Sequence, residues 1–185
     1  MQSRAATQKA QHETSADTRR TLAEQAIEAG QRCQQAAPTS AACDYALALA
    51  LGVQARERPT TATQGLPLMV KFLQKANQED ARLDNAGPAR VLALVLVRAP
   101  GWPLGPGDVD AGLKAAQQAV ALFPDYAPNQ LALSEAILVT GDEAASRAAA
   151  ARGLQLAHAA VAAGEADAPD WERDAESLLA GKAPR

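Results

Sequence analysis

Two Gly-Asp pairs, Gly107-Asp108 and Gly141-Asp142, stand 34 residues apart. Each lies between two stretches whose apolar residues recur at helical spacing. A helix-stopping glycine followed at once by an aspartate able to cap the next helix makes a tight helix–helix turn. Recurrence of that turn at a fixed period restricts the chain to stacked, similar helix pairs. Small residues follow the same register: Gly112, Ala116 and Ala119 after the first turn, Ser146, Ala150 and Gly153 after the second. At those intervals small side chains let neighbouring helices approach closely.

The period is that of tetratricopeptide (TPR) repeats. Stepping backwards, the counterpart of Ala119 is Ala76, 43 residues earlier, and the surplus of nine is about the length of the stretch from Pro100 to Gly107. That stretch is therefore an insertion between the two helices of one pair. One step earlier still, Cys33 takes the small position and Pro38 the repeat-ending proline. The expectation is an all-α fold, a right-handed array of antiparallel helix pairs (a TPR-like α-solenoid) with a Pro/Gly/Trp loop insertion. A leading helix precedes three degenerate pairs, and a C-terminal helix caps the last one, which would otherwise expose an apolar face.

In chain order, residues 1–14 are expected to be disordered, 15–181 to form a single helical domain, and 182–185 a tail. Helices are expected over about 17–36 and 40–56, then one carrying Leu66, Met69 or Val70, Leu73 and Ala76 on its apolar stripe, then about 88–99, 108–123, 129–139, 142–163 and 167–180. Alanine dominates the composition and loses no side-chain entropy in a helix, while no stretch alternates in the manner of a strand.

The formal net charge of -3 gives no reason to expect nucleic acid as a partner. No apolar run approaches the roughly 20 residues of a membrane span, and the polar start MQSRAATQKAQHETSADTRR has no apolar signal-peptide core. The chain as given is expected to be soluble. Cys33 and Cys43 flank the turn at Pro38-Thr39-Ser40. They can bridge that hairpin, which implies an oxidising compartment, or remain two small buried thiols. No metal or other cofactor is expected, since His12 and His158 lie far from the cysteines and from each other. Nor is an enzyme: no Ser-His-Asp arrangement or phosphate loop is present. The carboxylates at Asp108 and Asp110, and at Asp167 and Asp170, sit at helix starts, where capping explains them.

The run LDNAGPARVLALVLVRAPGWPLGPGD, with PDYAPNQLALSEAI after it, resembles the T-component (TatT) family of TRAP-transporter-associated proteins. The features that carry the resemblance are Asp84, Gly87-Pro88 and Arg90, then Ala99-Pro100-Gly101-Trp102-Pro103, Gly107-Asp108, Asn129 and Glu135. They span about residues 30–155. The resemblance implies a periplasmic, often lipid-anchored, TPR-like helical protein that associates with a solute-binding subunit. The Ala-rich seventh helix departs from the family pattern.

Arg90 and Glu135 fall on successive first helices of the repeat, so they are expected to pair across the inner face, fixing register or holding a polar ligand group. Trp102, flanked by prolines, is either an exposed anchor for a partner or a plug folded back over the helices. The stiffness of Pro100, Pro103 and Pro106 favours the plug. Asn129 is expected to cap the sixth helix or to tie down the inserted loop. Tyr126 should pack between helices, Trp171 should anchor the last one, and Lys71 and Lys75 should form a solvated face. The functional expectation is a non-enzymatic scaffold of the bacterial envelope binding a protein partner, either a periplasmic solute-binding protein or a second copy of itself. The alternative is a carrier of an apolar small molecule between the helices and the Trp102 loop.

Overall fold

The computed structural model describes Ser3, Thr7, Glu13 and residues 15–183. Among these the regular structure is helical, with no strand, as the periodicity requires. The expected disorder of residues 1–14 falls mostly outside the described residues. Of the three described there, Ser3 and Thr7 are helical and buried, and the Ser3 hydroxyl donates to Ala26 O at 2.7 Å. The chain forms two compact units, residues 1–83 with 99–106, and residues 84–98 with 107–185.

The first unit contains α1 (Ala16–Ala36), α2 (Ala41–Glu57), a single 3-10 turn (Pro59–Thr61) and α3 (Ala62–Glu79). Ser15 and Ser40 cap α1 and α2, accepting from the backbone N–H groups of Thr18 and Cys43. Between them the chain turns at Pro38, and a disulfide joins Cys33 to Cys43 with their Cα atoms 5.4 Å apart. Of the two readings of these cysteines, the bridged one is found. One helical turn before Cys33, Gly30 lies so close to α2 that a Cβ there would come within 3.0 Å of Leu47 Cα. At the other end of the hairpin Arg19 Nε meets Glu57 Oε2 at 3.0 Å. Matched positions running in opposite directions make the pair antiparallel.

Helix α2 packs against both α1 and α3. It accordingly buries residues around its whole circumference, from Tyr45 and Leu47 to Ala50, Leu51 and Val53. α3 turns Met69, Leu73 and Ala76 inward at helical spacing. Lys75 corrects one expectation. Lys71 is exposed, but Lys75 reaches the fully buried Asp44 Oδ2 at 2.6 Å and also donates to Pro38 O. The sequence spacing of the two lysines carried no sign of the carboxylate on the neighbouring helix.

The second unit contains α4 (Leu83–Arg98), α5 (Val109–Leu122), α6 (Ala127–Thr140), α7 (Glu143–Ala162) and α8 (Ala168–Leu179); Leu83 itself belongs to the first unit. The two Gly-Asp turns do the same work: Asp108 accepts from Ala111 N and Asp142 from Ala145 N, both at 3.0 Å. Gly141 has φ +89°, the left-handed conformation that ends α6. The small residues sit at the contacts. A Cβ on Gly112 would meet Val97 Cγ1 at 2.7 Å, and one on Gly153 would meet Leu131 Cδ2 at 2.5 Å. Between these helices Ser134 and Ser146, both buried, each donate to the other's carbonyl at 2.9 Å, so neither hydroxyl is left unsatisfied.

α8 presents Trp171, Ala175 and Leu178 at helical spacing to Leu131 and Ala150. Leu178 is fully buried, a contribution of roughly 2 kcal/mol. Trp171 thus anchors the last helix, as expected. Where the other helix pair has only Gly141-Asp142, α4 and α5 are joined by the longer run 99–108. The exit of that run is pinned by the hydrogen bond from Asp108 N to Leu96 O at 2.9 Å.

Candidate functional site

The start of α4 is not an ordinary helix start. Asp84, Asn85 and Ala86 all have positive φ (53°, 53° and 61°), a full left-handed turn before the right-handed helix begins at Gly87-Pro88. Each L-residue in that conformation costs roughly 1–2 kcal/mol, so surrounding contacts must hold the turn. Arg90, one helical turn on, donates through Nη1 to Asn85 O at 3.1 Å and through Nη2 to Asp84 Oδ2 at 3.4 Å. Asn129 supplies the second clamp. Its amide nitrogen contacts the carbonyl oxygens of Asn85, Ala119 and Phe123 at 3.1, 3.1 and 3.2 Å, and its Oδ1 accepts from Arg90 at 3.1 Å.

Asn129 therefore neither caps α6 nor holds the inserted loop. It sits fully buried in the first turn of α6, joining the end of α5 to the left-handed turn of α4. Tyr126, half-buried, lies under the Arg90 guanidinium, 5.1 Å from its ring centroid, and meets Trp171 edge to face at 5.5 Å. Burial pushes the Tyr126 hydroxyl above its usual pKa, with the Arg90 charge working against it.

Arg90 and Glu135 do not pair. The partner of Glu135 is Arg98, through two parallel bonds: Nε to Oε1 at 2.5 Å and Nη2 to Oε2 at 2.6 Å. Arg90, two turns earlier on α4, is already engaged by the turn it clamps. The resulting bidentate bridge is half-exposed on the arginine side, while Glu135 is 3% exposed. Its hydrogen bonds hold the Arg98 pKa above even the ordinary guanidinium value.

These residues border one cleft of about 180 Å³. Arg90, Leu94 and Arg98 face it from α4 at intervals of four, and Leu131 and Glu135 from α6. α8 contributes Trp171, Asp174 and Leu178. Burial raises the Asp174 pKa, against the attraction of Arg98 and reinforced by Asp170 and Glu135. Arg98, Asn85 and Asp174 were missed at the sequence level. The Arg90–Leu94–Arg98 spacing was a usable signal for the first; nothing local to α8 tied Asp174 to α4.

Trp102 is not a plug. It is 90% exposed, and Leu104 beside it is 74% exposed. The loop turns back on its own backbone instead: the N–H groups of Leu104 and Gly105 both donate to Gly101 O. A side chain at Gly105 would collide with Pro100 O, at 2.7 Å from a Cβ. Pro103, joined to Trp102 by a cis peptide, continues this turn, and Gly107 leads into the Asp108 cap. The prolines were expected to favour docking of the indole on the helices, and the indole is turned outward instead.

Among the described residues no three His, Cys, Asp or Glu side chains gather to hold a metal ion, and no helix is long and apolar enough to cross a membrane. His158 lies 3.6 Å from Glu172, and His12 falls outside the described residues. No family model matches the chain, and no curated protein matches it.

Proposed function

We propose that this chain is a non-enzymatic, TPR-like scaffold of the bacterial envelope that binds a protein partner, in the role the T-component resemblance implies. The observation that carries this reading is Trp102, 90% exposed on a loop whose exit is fastened to α4. A large indole held out on a pre-stiffened loop costs little entropy to dock, and Trp is enriched among residues that dominate binding energy. Leu104 extends the same apolar surface.

Three further points support the reading. The capped turns at Asp108 and Asp142 keep the repeat register. The Cys33–Cys43 disulfide suits an oxidising compartment such as a periplasm. The carrier alternative would need Trp102 closed over an apolar ligand, and its exposure gives that alternative no support.

Trp102→Ala tests the proposal. Its stability should stay within about 0.5 kcal/mol of the parent, as for an exposed substitution. Native mass spectrometry after purification from an envelope fraction should show a stoichiometric protein partner with the parent and none with the variant. A bound small mass in place of a protein would favour the carrier.

A further inference from the structure

The cleft bordered by α4, α6 and α8 is built from the second unit alone and is not used by the scaffold reading. Its charged groups separate into satisfied and unsatisfied ones. Arg90 is held by Asp84, Asn85 and Asn129, and Glu135 by Arg98. Asp174 makes no hydrogen bond or ion pair with any described residue. Arg98 spends Nε and Nη2 on Glu135, and its Nη1 donates to no described residue. The same cleft therefore holds one carboxylate with open acceptor positions and one guanidinium with open donors.

We propose that this cleft binds a free apolar α-amino acid, with its ammonium on Asp174, its carboxylate on Arg98 Nη1 and its side chain against Leu131 and Trp171. A ligand carrying only an ammonium would face two arginines, and one carrying only a carboxylate would face Asp174 and Glu135. A ligand with both charges on adjacent atoms matches both open groups, and each contact is of the strong, charge-assisted kind. The indole of Trp171 also favours a nearby cation. Leu94, Leu131 and Leu178 make the rest of the wall apolar. The cleft's 180 Å³ equals the liquid volume of about six waters, which admits a side chain of valine or leucine size. This site goes beyond the scaffold reading and does not depend on it: it makes the second unit responsive to a small metabolite whatever docks on the loop.

The chain has two tryptophans, so Trp102→Phe leaves Trp171 as a fluorophore lining the cleft. Titrating this protein with L-leucine, L-valine and L-phenylalanine should give saturable quenching or enhancement for at least one of them below about 10 mM. 3-Methylbutylamine, lacking the carboxylate, and 4-methylpentanoate, lacking the ammonium, should bind at least about tenfold more weakly than leucine, the loss of one charge-assisted contact. Asp174→Asn should weaken amino-acid binding by a similar factor while leaving the fold, read by circular dichroism, unchanged. The proposal is overturned if none of the three amino acids saturates by about 10 mM, if either single-charge analogue binds as tightly, or if Asp174→Asn binds unchanged. The analogue comparison needs no further variant, so the test holds even if Asp174→Asn disturbs folding.

Discussion

Asn129 donates its side-chain amide to the carbonyl of Asn85, 44 residues earlier in the chain, at 3.1 Å. The same side chain accepts from Arg90, which donates to Asn85 O and contacts the Asp84 carboxylate. A costly left-handed turn is thus enclosed by two side chains from different helices, and both the nitrogen and the oxygen of the Asn129 amide have partners. The turn places Gly87-Pro88 at the true start of α4 and aims Arg90 and Arg98 into one cleft.

Because Asn129 is fully buried, its removal leaves several buried groups without partners. Asn129→Ala should cost about 3 kcal/mol, within the range for stranding buried polar groups. Urea unfolding should show a lower midpoint with an unchanged slope. A loss under about 0.5 kcal/mol would mean that the left-handed turn stands without this clamp.

The Arg98–Glu135 bridge should respond unequally to its two partners. Arg98→Met strands a carboxylate that is 3% exposed, at a cost of about 3 kcal/mol. Glu135→Gln leaves a guanidinium that water already reaches, at a cost of about 1 kcal/mol. Parallel urea titrations of the two variants check the asymmetry, and equal losses would contradict it.

Reduction of Cys33–Cys43 should lower stability by about 3 kcal/mol, the loop-closure value for a bridge of this sequence separation in the chain-entropy model. Urea midpoints of the first unit's signal, taken in the full chain with and without reductant, measure it. The Cys33→Ser, Cys43→Ser double variant should match the reduced protein and be insensitive to reductant.

Asp174 should leave a signature in the pH dependence of stability. Burial raises its pKa, with Arg98 opposing, so the folded state holds the proton more tightly than the unfolded one. Stability from this group is then highest below the unfolded value of about 3.9 and falls as pH rises through the raised folded value. Asp174→Asn removes that dependence. Relative to the parent, the variant should gain stability between about pH 3 and about pH 7. A relative loss over that span would show that the carboxylate is favoured by the fold.

Much of the local structure was readable from the residues. Ser40, Asp108, Asp142 and Gly141 mark helix ends because capping chemistry and left-handed backbone act within a few residues of the chain. Gly112 and Gly153 mark close helix contacts because only a missing Cβ allows them. The partners of charged side chains were harder to read. Arg90 and Glu135 share a repeat register, yet Arg90 turns back to Asp84 and Glu135 takes Arg98. The choice depends on a left-handed turn with an alanine in it, which no local propensity favours.

By itself, then, the sequence determined which segments are helical, where they stop, and which small residues let them touch. These follow from interactions spanning a turn or two of chain. The tertiary structure decided what each polar group meets. It buried Asp44 beside Lys75, turned Trp102 outward, and brought Asp174 of α8 to Arg98 of α4. Those outcomes are settled by the packing of helices distant in sequence, because a side chain's solvent exposure and nearest charge exist only once its neighbours are in place.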